Sequence, residues 1–162
     1  MTITQAKAAD FEAVKNITRS TISEIYPRYY PRGAVEFFLA HHSDERIAED
    51  IAQSRVYLCR DDNGIVGTVS IHGSEILRLF VLPAYQGRGF GRALLDFAES
   101  EIAKTYGEVV IDASLPAKPI YLRRGYKETA YNIIETDNND RLCYDVMKKT
   151  LRAEHNDKNA KK

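Results

Sequence analysis

Leu79-Phe80-Val81-Leu82-Pro83-Ala84-Tyr85-Gln86-Gly87-Arg88-Gly89-Phe90-Gly91 reads as an apolar strand, a proline stop and a glycine-rich turn that opens a helix. Three glycines within five residues let the backbone turn sharply and come close to a ligand, because no Cβ stands in the way. The first-turn amides of a helix have no internal partners and point outward with the positive end of the helix dipole. A pyrophosphate fits such a nest without a metal. Arg88 and Arg92 add positive charge at its rim, or are simply solvated surface groups. The glycines also suit close packing alone. Two common nucleotide motifs are excluded. A P-loop needs Lys and then Ser or Thr after the glycines, and a dinucleotide fingerprint has the spacing G-x-G-x-x-G where this chain has G-x-G-x-G.

Upstream, Val56–Cys59, Ile65–Ile71 and Glu75–Leu82 form a meander, turned by Asp61-Asp62-Asn63-Gly64 and His72-Gly73-Ser74. Ile3 marks a short first strand. Asp10 is placed to cap a helix carrying Phe11, Val14, Ile17, Thr21 and Ile25 at helical spacing, and Pro27 ends it. Further helices cover about Ala34–Ala40 and the stretch after Ser43 or Asp44. Downstream, a helical period runs from Gly89 to about Lys104. A strand at Val109–Asp112 follows, then a helix at about Ala117–Arg124 ended by Gly125. Lys127–Glu135 and Arg141–Met147 close the chain as a hairpin. This order implies an α/β fold of the mixed, α+β kind, with about seven strands and helices on both faces of the sheet. One domain is expected over residues 1–151, with 152–162 a polar, disordered tail.

Apolar residues make up 44% and charged residues 28% of the 162, which points to a globular chain. Lys plus Arg and Asp plus Glu both count 23, a balance that argues against nucleic acid as the main partner. No stretch approaches the ~20 apolar residues that span a bilayer, and Met1–Asp10 does not read as a secretory leader. Cys59 and Cys143 lie in apolar runs and are expected as buried free thiols. A cytoplasmic location is therefore expected.

The run Leu79–Leu95 resembles the coenzyme-binding motif of the GCN5-related N-acetyltransferase (GNAT) superfamily: a strand ending Val-x-Pro, then Gln or Arg, Gly, x, Gly, x, Gly or Ala. Ala117-Lys118-Pro119-Ile120-Tyr121-Leu122-Arg123-Arg124-Gly125-Tyr126 resembles the second motif of that family. The two come in the family's order. Where many members have Asn, this chain has Ser114, so a contact near the pantetheine arm is lost or remade by a hydroxyl.

The resemblance implies acetyl-coenzyme A as co-substrate, a primary amine of a small molecule or protein as acceptor, and no metal. It leaves a homodimer open. It places the coenzyme between the Glu75–Leu82 and Val109–Asp112 strands, with the backbone of Leu79, Phe80 and Val81 on the pantetheine. Gln86, Gly87, Arg88, Gly89, Phe90, Gly91 and Arg92 would hold the pyrophosphate, and Ser114, Ala117 and Tyr121 would line the arm. Tyr121 takes the general acid position, the Val81 amide the oxyanion position, and Glu75 that of a base. Strict alternation puts Glu75 on the face of Leu77, Leu79 and Val81, unless a bulge shifts the phase.

Tyr26, Tyr29, Tyr30 and Phe37 form an aromatic cluster that either covers an amine or packs a corner. His72, in the turn beside Glu75, is a second candidate base. Adjacent His41 and His42 lack the spacing of a metal pair. A non-catalytic acyl-coenzyme A binding protein of the same fold is the other reading, and a nucleoside triphosphate enzyme is disfavoured by the missing P-loop lysine.

Overall fold

Alternation along the central strands gives the sheet two apolar faces, and different helices cover them. The computed structural model describes residues 1–151; the expected tail 152–162 lies outside the described residues. The strands are β1 (Thr2–Gln5), β2 (Val56–Asp61), β3 (Gly64–His72), β4 (Glu75–Val81), β5 (Glu108–Ala113), β6 (Lys127–Glu135) and β7 (Arg141–Thr150). The helices are α1 (Phe11–Ile25), α2 (Arg32–His41), α3 (Asp44–Ala52), α4 (Phe90–Ala103) and α5 (Lys118–Arg123). The seven strands lie in the order β1-β2-β3-β4-β5-β7-β6. Among the described residues only the central β4–β5 pair is parallel, because α4 carries the chain back between them.

On one face, Leu94, Leu95, Ala98 and Ile102 of α4 pack over Val69, Ile76, Val81 and Ile111. On the other, Ile17, Ile22, Tyr26 and Ala34 cover Phe80 and Leu142, and Val14, Ile47 and Ile51 cover Val56 and Leu58. Each such aliphatic side chain contributes roughly 1.5–3 kcal/mol of burial free energy. The two layers hold β4 rigidly between them, and β4 carries the chemistry described below.

Four local expectations change. Asp10 does not cap α1; its carboxylate accepts the Lys7 amide at 2.9 Å and an Arg60 N–H at 3.0 Å, closing a short 3-10 turn ahead of the helix. α2 starts at Arg32, two residues early, because extended Pro31 precedes it and Asp140 accepts the Gly33 amide at 2.7 Å. β7 runs on to Thr150, which pairs with Glu108. Cys59 is a buried free thiol, but Cys143 is only half-buried.

Candidate active site

The parallel strands β4 and β5 pair only at Glu75–Val110 and Ile76–Ile111. Beyond that point they part, and a cleft of about 1210 Å³ opens between them and runs onto the α1–α3 face. The direction of each β4 amide follows from its register with β3. Leu82 N–H donates to Val66 O at 2.9 Å, so bonded pairs alternate from there and Phe80 is the next residue bound to β3, opposite Thr68. Leu79 and Val81 fall between bonded pairs, and their peptide groups turn towards the cleft. Phe80 therefore departs from the expectation for residues 79–81. It meets the cleft through its ring, while its backbone is committed to β3.

Two donors hold the end of this strand. Thr21 Oγ1 and Gln86 Nε2 both donate to Val81 O, at 3.1 and 3.0 Å. The Gln86 side chain thus braces the turn. Gly87 and Gly89 have φ of +75° and +92°, the left-handed region that disfavours any residue with a Cβ, and open space surrounds both. Gly89 leads directly into α4, so the free first-turn amides face the same opening.

The two rim arginines differ. Arg92 lines the cleft, whereas the Arg88 guanidinium lies over the rings of Tyr85 and Phe90 at 5.1 and 5.6 Å, outside the lining. The Phe90 side chain is buried in the α4 core, as helical spacing implies, and its backbone lies in the glycine turn.

Tyr121, on α5, lines the cleft from the β5 side together with Ser114 and Ala117. Its ring packs against Tyr126 at 5.4 Å and is 5% exposed. Burial first, and neighbouring Tyr26 second, push its hydroxyl pKa well above that of a free phenol. Tyr26 lines the cleft beside Ser114, and burial raises its hydroxyl pKa. Tyr30 donates to Cys143 O at 3.3 Å and accepts the Leu115 amide at 2.7 Å, tying the α1–α2 corner to the loop after β5. Of the expected aromatic cluster, Tyr26 and Phe37 line the cleft; Tyr30 is a corner brace and Tyr29 is exposed.

Glu75 lines the cleft, but strict alternation gives it the wrong companions. Ser70 pairs with Arg78 and Ile71 with Ile76, so Leu77 is an extra residue in β4. The bulge puts Glu75 on the face of Arg78 and Phe80, while Ile76, Leu79 and Val81 face α4. Glu75 also has a carboxylate neighbour that sequence reading passed over. Asp112 of β5 has its pKa raised by burial and then by the charge of Glu75. His72 pairs with Glu75 in the hairpin but does not line the cleft.

A second missed group is buried deeper. Arg78 is 4% exposed and donates from Nη1 to Ser70 Oγ at 2.8 Å, from Nη2 to Asp50 Oδ2 at 3.1 Å and from Nε to His42 Nδ1 at 3.4 Å. Burial, and then the Arg78 charge, hold the His42 pKa down at about 3. Among the described residues no cluster of three or more His, Cys, Asp or Glu side chains is placed to hold a metal.

The model of the acetyltransferase (GNAT) domain family matches residues 25–151, a span that contains the splayed strands, the glycine turn and Tyr121. The chain belongs to this family. A relative in Escherichia coli K12, the uncharacterized N-acetyltransferase YafP, is 32% identical over 96 residues, a match spanning 59% of this chain and 61% of that protein. A GCN5-related N-acetyltransferase from Rhodopseudomonas palustris superposes with a TM-score of 0.84 at 23% identity, covering 93% of this chain and 95% of that one. YncA, a putative acetyltransferase from Salmonella typhimurium solved with acetyl-CoA, superposes with a TM-score of 0.71 at 19% identity over 99% of both chains. At these identities the solved structures establish the GNAT fold, with its seven-stranded mixed sheet and flanking helices. Among the described residues no helix is long and apolar enough to cross a membrane.

Proposed function

We propose that this chain is an acetyl-coenzyme A dependent N-acetyltransferase that moves the acetyl group to a primary amine by direct attack with both substrates bound. One observation carries the reading: the left-handed glycine nest at Gly87 and Gly89 opens onto the same cleft as the buried Tyr121 hydroxyl. The nest fits a pyrophosphate, since no side chain fills it and its unpaired amides complement negative charge. Leu79 and Val81 peptide groups fit an extended amide-bearing arm, as a sheet edge fits a strand. When bound, acetyl-coenzyme A supplies an acetyl group activated as a thioester.

The protein groups then have three tasks. Glu75, with Asp112 beside it, attracts the cationic ammonium and passes its first proton to solvent; the neutral nitrogen then attacks the acetyl carbon, and Glu75 takes the second proton as that bond forms. The Val81 N–H, turned to the gap, stabilises negative charge building on the carbonyl oxygen. Tyr121 donates to the departing sulfur as the carbon–sulfur bond breaks. Its raised pKa makes it a weaker acid than a free phenol (~10) facing a thiol near ~8.5. Its contribution is thus a hydrogen bond that strengthens as charge reaches the sulfur, completed by proton transfer and restored from solvent.

The enzyme reading is favoured over a coenzyme-binding protein without chemistry by Tyr121 itself, a proton-bearing group that lines the same cleft as the glycine nest and Glu75. In Tyr121→Phe, the turnover rate should fall about a hundredfold with acetyl-coenzyme A affinity retained in calorimetry. A fully active Tyr121→Phe ends the acid assignment.

A further inference from the structure

We infer that the acceptor carries a carboxylate as well as its amine, and that Arg78 with His42 binds that carboxylate at the α3 end of the cleft; this rests on the acetyltransferase reading above. Arg78 sits on the cleft face of β4 although almost fully buried. A guanidinium has five N–H donors, and three are used by Ser70, Asp50 and His42. Asp50 does not neutralise the spot by itself, because its other oxygen is shared with Arg55 Nη1 at 3.5 Å. Two guanidinium groups on one carboxylate leave an excess positive charge. The exposed Arg46 and Glu49 also line this end, with opposite signs.

His42 adds a directed donor. Its Nδ1 accepts from Arg78, so its remaining proton is on Nε2, and the ring lies edge-on to Phe80 at 5.5 Å in the cleft wall. His41, its pKa also lowered by burial and then by Arg46, is the neutral neighbour. Between this donor set and the Glu75–Asp112 pair, the walls are apolar: Ile25, Phe37, Phe38, Leu77 and Phe80. A basic pole, an apolar wall and an acidic pole match a zwitterion whose carboxylate and amine stand at opposite ends of an apolar body, the ω-amino-acid class. A bare alkylamine would leave the excess positive charge at this end, two guanidinium groups on one carboxylate, without a counter-charge from the substrate.

Matched substrate pairs test this on the intact protein. Initial rates are measured for 6-aminohexanoate against pentylamine and 4-(aminomethyl)benzoate against benzylamine, with acetyl-coenzyme A and a thiol-release readout. The carboxylate-bearing member should show at least tenfold higher kcat/KM, mainly through KM. In Arg78→Met/Asp50→Leu, which removes both charges together, that ratio should approach one; His42→Phe should narrow it. The comparison on the unaltered protein decides the matter even if the double variant does not fold. Equal or greater kcat/KM for the decarboxylated amines overturns this proposal and leaves the acetyltransferase reading intact. An absence of transfer to every amine overturns both.

Discussion

The cleft has two ends built in different ways. The end formed by β4, the glycine turn and the start of α4 is made of backbone: peptide groups of Leu79 and Val81, left-handed glycines at 87 and 89, and helix amides. The end covered by α1–α3 is made of side chains: Arg78, His42, Asp50, Glu75, Asp112 and an aromatic wall. Backbone geometry recognises what never varies, and side chains recognise what differs among substrates. Substitutions should therefore act differently at the two ends. At the first, damage follows from lost conformational freedom; at the second, from lost charge.

The largest effect should come from forcing side chains into the nest. Gly87→Val together with Gly89→Val places two β-branched residues at positive φ, each strained by about 1–2 kcal/mol. Acetyl-coenzyme A affinity should drop at least thirtyfold in calorimetry. A change below threefold would break the claim that backbone conformation makes this end.

Next comes Glu75→Gln, which should lower the rate about tenfold with little change in coenzyme affinity, because Glu75 belongs to the other end. Arg92→Ala should weaken coenzyme binding a few-fold. Arg88→Ala should change it less than twofold, since Arg88 stacks on Tyr85 and Phe90 rather than lining the cleft. Reversed ranking of the two arginines would contradict the geometry of the rim.

The pH profile sharpens the same contrast. Burial raises the Tyr121 pKa, so its proton is retained on the alkaline side beyond where a free phenol loses it. Between pH 7 and 10 the rate should show no falling limb from this group. A falling limb near pH 8–9 that disappears in Tyr121→Phe would contradict the burial seen here.

What was legible in the sequence divides along the same line. Gly87, Gly89 and Gly91 announce a turn and a helix start because their meaning is local, and the strand–helix order around them follows from periodicity. Even there, position alone leaves Arg88 open between the phosphate rim and solvent, and stacking on Tyr85 and Phe90 decides it. At the other end, Arg78 is drawn together with Asp50 and His42 from 28 and 36 residues away, and no spacing rule joins them. The Leu77 bulge then reverses the phase that alternation assigns to Glu75, and Asp112 matters only because β5 lies beside β4. A charged residue within an apolar strand, as Arg78 is in Ile76–Val81, was the one available signal of a buried polar site.

The central claim is that the backbone-built end presents an acetyl group to an amine held at the side-chain-built end. Rapid mixing of the protein with acetyl-coenzyme A and an amine panel, with a chelator present, tests it most directly. Thiol release should require both substrates and match, mole for mole, the acetylated amine seen by mass spectrometry. Tight binding of acetyl-coenzyme A with no amine-dependent thiol release would contradict it.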